Sequence, residues 1–282
     1  MNLPGASQRS APPADITGIV CDDVWIDHPC GRLFARTWRN ARHTGLSQGK
    51  APIVLFHDSL GCVDLWRDFP ARLSAATGRS VVAYDRLGFG RSAPRRDRLG
   101  PDFIADEARV FFPAVGAQLG LRSFIAFGHS VGGGMAVNCA AHYAAHCKAL
   151  ITESAQAFAA DETLAGIRAA RQQFRDERQL ERLSKYHGEK AQWVLDAWTE
   201  TWLAPEFASW SLADILPSVR CPLLAIHGAC DEYGSAQHPA MIGQRCGGPS
   251  RVEIMADTSH VPHRERPEAV IRLVSEFVSS IT

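Results

Sequence analysis

Residues 124–134 read FIAFGHSVGGG: an apolar run enters Gly-x-Ser-x-Gly at Gly128, Ser130 and Gly132, and continues into the helix-forming sequence AVNCAAHYAA. The two small glycines permit a tight turn between a strand and a helix, which would lift the Ser130 hydroxyl clear of the backbone. Because the first N–H groups of a helix attract anions, the Val131 amide would stabilise an oxyanion there. The motif alone is weak evidence for a nucleophile, since Gly and Ser are common in turns. A serine nucleophile also requires a base and an acid from elsewhere in the chain.

The C-terminal part of the sequence supplies both groups. Asp231 follows an apolar run directly, and His260 lies in the loop before the last predicted helix. We predict Asp231 as the orienting acid and His260 as the base, because catalytic residues of open α/β sheets gather where buried strands end. The chain order of serine, acid and histidine supports this choice. Two alternatives remain open: Glu153, which also follows a strand, as the acid, and His263 as the base.

Apolar runs of strand length alternate with segments of helix length. We predict a hairpin at residues 20–26 and 33–38, then buried parallel strands at residues 53–56, 80–84, 124–127, 149–152, 223–226 and 252–255. Helices are predicted at residues 65–77, 103–119, 131–145, 239–246 and 267–278. This alternation is typical of a doubly wound, mostly parallel α/β sheet.

The domain organisation follows from where the alternation of strands and helices is interrupted. Residues 1–18 are rich in Pro, Ser, Gly and Ala and predict a flexible N-terminal arm. Residues 19–153 and 218–282 form the predicted core, and residues 154–217 form an inserted helical cap. Trp198 and Trp202 of this cap are candidate substrate contacts, although aromatic residues at helical spacing more often serve packing alone.

Composition limits the partners of the protein. Thirty basic and thirty acidic side chains cancel, which argues against nucleic acids and anionic membranes and favours a small-molecule substrate. A signal peptide and an apolar run of about 18 residues are both missing, so we predict a cytoplasmic protein. The eight cysteines lack a C-x-x-C spacing and indicate free thiols. No metal or other cofactor is predicted, and the sequence leaves a homodimer open.

Four motifs together resemble the α/β-hydrolase superfamily, specifically its capped, esterase-like members. The resemblance extends from about residue 20 to the C-terminus and rests on the sequences HDSLG at residues 57–61, DRLGFGRS at residues 85–92, the Ser130 turn, and the loops that carry Asp231 and His260. It implies the α/β-hydrolase fold with a helical cap and a catalytic triad of those three residues. By position, the Ser59 amide would be the second oxyanion donor beside that of Val131.

The sequence also departs from the pattern of this superfamily. Asp58 stands where most members have Gly, and a carboxylate aimed at the oxyanion would oppose its charge. We therefore predict that Asp58 faces away and accepts hydrogen bonds from neighbouring loop amides. The resemblance implies that Asp85 and Arg86 are a structural pair without a catalytic role. The lipase-type HGGG motif is missing, which argues against long-chain triglyceride substrates.

The predicted function is hydrolysis of a small ester-like substrate through an acyl-enzyme on Ser130. Haloalkane dehalogenases and epoxide hydrolases resemble this architecture but use Asp at the nucleophile position, so both activities are disfavoured. Carbon–carbon hydrolases of ring-cleavage products remain an alternative, although their turn usually reads Gly-Asn-Ser. Acyltransferases, amidases and perhydrolases share the triad, and a non-catalytic small-molecule receptor on the same scaffold can retain it.

Overall fold

The computed structural model describes residues 16–46 and 49–281 of the 282-residue chain. The predicted N-terminal arm therefore lies outside the described residues, apart from its last three. One eight-stranded sheet has the spatial order β1-β2-β4-β3-β5-β6-β7-β8, with antiparallel pairing at β1, β2 and β4 and parallel pairing elsewhere. The strands are β1 (Ile19–Ile26), β2 (Leu33–Asn40), β3 (Ile53–Phe56), β4 (Val81–Tyr84), β5 (Phe124–His129), β6 (Cys147–Glu153), β7 (Leu223–Gly228) and β8 (Ser250–Met255).

Helices cover both faces of the sheet, so the predicted doubly wound, mostly parallel α/β fold is confirmed. They are α1 (Phe69–Thr77), α2 (Phe103–Asp106), α3 (Phe112–Gln118), α4 (Val131–His142), α5 (Asp161–Gln173), α6 (Glu177–His187), α7 (Ala191–Trp202), α8 (Gln237–Arg245), α9 (Pro262–Glu265) and α10 (Pro267–Ser279). Helices α5 to α7 lie between β6 and β7, where the sequence predicts the cap. None of the helices described is long and apolar enough to cross a membrane.

The apolar core is split by the sheet into two layers. Strands β3, β4, β5 and β7 are buried along their whole length, because helices cover the parallel strands on both sides. Phe112 packs on Phe124 in one layer, with ring centres 4.9 Å apart. Phe69 packs edge-on against Phe127 in the other layer, at 5.9 Å. The sheet is thereby fixed between its helices, and its carboxyl edge becomes a rigid base for the site.

Strand β8 differs from the prediction. Residues 252–255 form a parallel strand as expected, but Val252 and Ile254 are 40% and 46% exposed rather than buried. The reason is position, because β8 is the last strand of the sheet and pairs only with β7. An apolar run of four residues does not distinguish a central strand from an edge strand.

The predicted helix at residues 103–119 is interrupted. Between α2 and α3, residues Glu107–Phe111 form a π-helical turn, and the Phe112 N–H donates to the Glu107 carbonyl five residues earlier. Pro113 follows directly and has no N–H to donate to the Arg109 carbonyl. A wider turn before the proline is a common way to accommodate this missing hydrogen bond.

Candidate active site

Ser130 occupies a sharp turn between β5 and α4. Its backbone has φ 56° and ψ −127°, a conformation that L-residues other than glycine rarely adopt. A Cβ atom on Gly128 would lie 2.0 Å from the Gly132 carbonyl oxygen, and one on Gly132 would lie 2.1 Å from that of Phe56. Both positions therefore require glycine, and the tight packing holds the strained turn that presents the serine hydroxyl.

The predicted serine, histidine and acid are brought together in a hydrogen-bonded relay. His260 Nε2 lies 3.0 Å from Ser130 Oγ, and its Nδ1 lies 2.8 and 2.9 Å from the two carboxylate oxygens of Asp231. The Tyr233 N–H donates to Asp231 Oδ1 at 2.8 Å, which fixes the carboxylate in the loop after β7. This arrangement sets Nδ1–H on the acid and leaves Nε2 free to accept the serine proton.

The hydrogen bonds and charges in this relay shift the pKa values of both Asp231 and His260. Burial alone would raise the pKa of Asp231, but the hydrogen bond and charge of His260 and the Tyr233 amide hold it below its ordinary value. Burial alone would lower the pKa of His260, but the hydrogen bond and charge of Asp231 raise it instead. The pair therefore favours a carboxylate that stabilises the imidazolium form of the histidine.

The two alternative residues pair with each other rather than with Ser130. His263 Nδ1 hydrogen bonds to Glu153 Oε2 at 2.6 Å, and both side chains are buried. Burial raises the pKa of Glu153 to about 7 and lowers that of His263 to about 3, so His263 is neutral at neutral pH while Glu153 is protonated in about half of the molecules at pH 7. Geometry therefore favours Asp231 and His260 over Glu153 and His263.

The backbone amides of Ser59 and Val131 are the predicted oxyanion donors. Val131 is the first residue of α4, where a helical N–H has no intrahelical acceptor. The Ser59 N–H has no acceptor among the hydrogen bonds of the described residues. The peptide group between Asp58 and Ser59 is anchored through its carbonyl oxygen, which accepts hydrogen bonds from His57 Nδ1 at 2.8 Å and from Arg86 Nη2 at 2.9 Å. The arrangement suits an oxyanion hole with one donor from each side.

The Asp58 side chain lies outside the residues that line the cavity at Ser130. It borders a neighbouring cavity with His129, His263 and Arg264. The predicted hydrogen bonds from loop amides to its carboxylate are not formed within residues 16–46 and 49–281. The backbone carbonyl of Asp58 accepts hydrogen bonds instead, from the Gly61 N–H at 3.2 Å and from the side chains of His57 and Arg86. The prediction was thus wrong about which oxygen atom anchors the loop.

Asp85 and Arg86 are both buried, but they do not form the predicted pair. Asp85 accepts hydrogen bonds from the backbone N–H groups of Val63 and Arg91 at 2.6 and 2.7 Å, whereas Arg86 donates to the Asp58 carbonyl. The two residues directly follow β4, where successive side chains point to opposite sides of the chain. Adjacent positions in sequence therefore lead the two side chains to different partners.

A cavity of about 70 Å³ opens onto the serine hydroxyl. Its lining includes Ser59, Ser130 and His260, and Trp198 and Trp202 from α7. The two candidate tryptophans therefore contact the same space as the candidate triad. Trp202 is only 2% exposed and also packs against Phe207 and Trp210, so it belongs to the aromatic core of the cap as well.

Comparison with known proteins provides independent evidence for the fold. The family model described as "alpha/beta hydrolase fold" matches residues 51–185, which run from just before β3 into α6. The matched segment contains the Ser130 turn, and the fold around it is the sheet described above. The chain belongs to the α/β-hydrolase superfamily. The hydrolases among its relatives support a hydrolase rather than a binding protein.

Individual relatives of this α/β hydrolase are distant. Mouse serine hydrolase BPHL is 26% identical over 83% of this chain and 81% of its own length. The bovine (lyso)-N-acylphosphatidylethanolamine lipase is 32% identical, but over only 36% of this chain and 29% of the lipase. The crystal structure of VinJ superimposes with a TM-score of 0.68 and 22% identity over 93% of this chain and 99% of VinJ, which supports the fold.

Four residues that line the cavity of this α/β hydrolase were missed from the sequence: Gln156, Thr163, Ile167 and Tyr233. Gln156 Oε1 lies 3.3 Å from Ser130 Oγ, and the Tyr233 ring packs against His260 with centres 4.8 Å apart. Gln156 follows β6 by three residues, so its place at the carboxyl edge was a usable signal. Tyr233 follows the acid by two residues in a turn, and no sequence pattern distinguishes it.

The structure also groups three residues of metal-ligating type. His129, Glu153 and His263 have ligand atoms within 4.8 Å of one another, and all three are buried. The direct hydrogen bond between Glu153 and His263 uses an atom of each that a metal ion would need. His129 Nε2 is also occupied, since it donates to the His260 carbonyl at 2.8 Å. We therefore interpret the group as a support for the histidine loop.

Proposed function

We propose that this α/β hydrolase is a serine hydrolase that cleaves small carboxylic esters or related acyl compounds through an acyl-enzyme on Ser130. The observation that carries the proposal is the relay in which His260 joins Ser130 Oγ at 3.0 Å to Asp231 at 2.8 Å. These distances lie in the range required for proton transfer between a nucleophile, its base and an orienting acid.

In the proposed mechanism, His260 Nε2 takes the proton of Ser130 as Oγ attacks the ester carbonyl carbon. The resulting oxyanion accepts hydrogen bonds from the N–H groups of Ser59 and Val131. Collapse of this intermediate breaks the bond to the leaving group, which receives the proton from the imidazolium. Water then attacks the acyl-enzyme with His260 as base, which releases the acid and restores Ser130.

The cavity favours a small substrate. A buried water needs roughly 10–15 Å³ in the same measure, so about 70 Å³ holds a group the size of a few waters. Apart from Ser130, His260, the amide of Gln156 and the three hydroxyl groups of Ser59, Thr163 and Tyr233, the lining is apolar and aromatic. A short acyl group or a small ring therefore suits this space better than a long alkyl chain.

The first experiment is labelling with a fluorophosphonate probe, followed by a panel of short alkyl and aryl esters, amides and thioesters. We expect stoichiometric labelling of Ser130, hydrolysis of short esters, and loss of both in Ser130→Ala. Labelling that persists in that variant would refute the nucleophile. Preferential cleavage of ring-cleavage dienoic acids would favour a carbon–carbon hydrolase, and tight ligand binding without turnover on the whole panel would favour a receptor.

A further inference from the structure

Two further spaces lie in line with the cavity at Ser130 and share lining residues with one another. A groove of about 540 Å³ lies between the loop at residues 95–101 and α7. A narrow space of about 10 Å³, called the neck here, shares Leu99 and Ala197 with the groove. The neck also shares Ser59, Trp198 and Trp202 with the cavity at the serine. The neck therefore lies between the groove and the cavity at the serine.

One wall of the neck carries a buried cation. Arg86 is 5% exposed and lines the neck, where the rest of the lining is apolar or aromatic except for Ser59. Its Nη2 donates to the Asp58 carbonyl, and its guanidinium lies 4.0 Å from the centre of the Phe89 ring. Its Nε is buried without a hydrogen-bond partner, and Nη1 makes no hydrogen bond within the described parts of the chain. Donor capacity is therefore left unused next to the cavity at the serine.

The charge of Arg86 is also unbalanced at short range. Among residues 16–46 and 49–281, no carboxylate oxygen lies within 4.0 Å of the guanidinium. Two acids act on it from a longer distance: Glu107, whose carboxylate is hydrogen bonded to the Tyr84 hydroxyl at 2.6 Å, and Asp58. Burial lowers the pKa of Arg86 to about 10, so the side chain stays cationic at neutral pH. A buried cation without a paired anion is costly unless a ligand supplies the partner.

We propose that Arg86 binds a carboxylate carried by the substrate, so that the preferred substrates are small esters with a free carboxylate a few carbons from the scissile bond. This inference rests on the proposed hydrolase function and narrows its substrate class. The neck has room for about one water-sized group, which suits a carboxylate oxygen better than a phosphate. Arginine also forms strong, charge-assisted hydrogen bonds with carboxylates.

The test compares esters that differ only in charge. On the acyl side the pair is monomethyl succinate and methyl 4-methylpentanoate, in which an isopropyl group replaces the carboxylate. On the alcohol side the pair is acetoxyacetate and isobutyl acetate. We expect the protein to prefer the anionic member of one pair in kcat/KM by at least about tenfold, as for a hydrogen bond to a charged group. Equal values within both pairs would overturn the proposal.

Variants assign any preference to Arg86. Arg86→Gln should reduce the anionic preference by about 10- to 100-fold, and Arg86→Lys should retain part of it. Arg95→Gln is the matched control, because Arg95 adds positive charge near Arg86 but pairs with Asp97 at 2.8 Å and does not line the neck. If Arg86 only anchors the Asp58 carbonyl, Arg86→Gln will slow both members of each pair equally, which would contradict the proposal.

Binding to an inactive variant separates this proposal from the proposed function. Calorimetry would measure monomethyl succinate binding to Ser130→Ala and to Ser130→Ala combined with Arg86→Gln. Weaker binding in the double variant would support the anion site even if the unmodified protein hydrolysed no ester. Hydrolysis of neutral esters together with equal binding to both variants would refute the anion site and leave the hydrolase function intact.

Discussion

His129 Nε2 donates a hydrogen bond to the backbone carbonyl of His260 at 2.8 Å. This bond joins the residue immediately before the nucleophile to the residue that carries the base, although 131 positions separate them in sequence. Burial lowers the pKa of His129 to about 4, so the ring remains neutral and keeps its single N–H on the carbonyl. The distance between Ser130 and His260 is therefore set by this hydrogen bond from the Ser130 turn as well as by the contact between His260 and Asp231.

We expect His129→Leu to lower kcat by about tenfold with little change in KM, because the variant loosens the base without removing a substrate contact. The measurement is steady-state kinetics on the best short ester, with His142→Leu, an exposed histidine of α4, as the matched control. An unchanged kcat in His129→Leu would mean that the Asp231 contact alone positions His260.

His260 and His263 should respond differently to truncation. His260→Ala removes the proposed base and should lower kcat by several orders of magnitude with little loss of stability. His263→Ala leaves Glu153 buried without its partner, so we expect a loss of about 2–4 kcal/mol in the free energy of unfolding. Most activity should survive in the folded fraction. Denaturant unfolding and ester kinetics test both, and the reverse pattern would exchange the two roles.

The pH dependence of kcat/KM should report the pairing of His260 with Asp231. His260 must be neutral to accept a proton, and its pKa is raised above the ordinary value of 6.5, so the rate should rise with pH and reach half its maximum above pH 6.5. Asp231→Asn removes the charge that raises this pKa. We expect the midpoint to move to lower pH while the rate falls by several orders of magnitude.

Glu153→Gln is the matched control for this pH experiment. Burial raises the pKa of Glu153 to about 7, so glutamine imitates the protonated form that dominates below pH 7. The Glu153 side chain hydrogen bonds to His263 and not to His260 or Ser130, so Glu153→Gln should leave rate and midpoint nearly unchanged. If Glu153→Gln abolished activity while Asp231→Asn did not, Glu153 would be the functional acid.

Most of the core site could be predicted because it depends on local sequence. The Ser130 turn, the strand ends at Asp231 and the loop at His260 are each encoded within a few neighbouring residues, and the parallel sheet brings such ends together. The exposure of β8 and the unpaired state of Arg86 depend on neighbours that are distant in sequence. An apolar run does not reveal whether a further strand covers it, and a charged residue does not reveal its partner.

The cap tryptophans should separate selectivity from stability. Trp198 lines the cavity and the neck and is only partly buried, whereas Trp202 also packs against Phe207 and Trp210. We expect Trp198→Ala to change relative kcat/KM among esters of different chain length with a small effect on the melting temperature. Trp202→Ala should lower stability by about 3–5 kcal/mol. Equal losses on every ester in Trp198→Ala, in step with unfolding, would identify Trp198 as core only.

Asp58 allows a direct test of whether charge near the oxyanion site limits the rate. Its carboxylate lies outside the lining of the cavity at Ser130, while its backbone carbonyl anchors the peptide that presents the Ser59 N–H. Because the side chain is not the anchor, we expect Asp58→Asn to change kcat by less than about tenfold. The small residual effect should be a lower kinetic pKa, since the negative charge of Asp58 helps to raise that of His260. A gain of tenfold or more in kcat for Asp58→Asn would mean that the carboxylate opposes the charge of the transition state. Asp58→Gly separates the side chain from the loop, because it frees the backbone at this position and should lower kcat through a less ordered Ser59 amide.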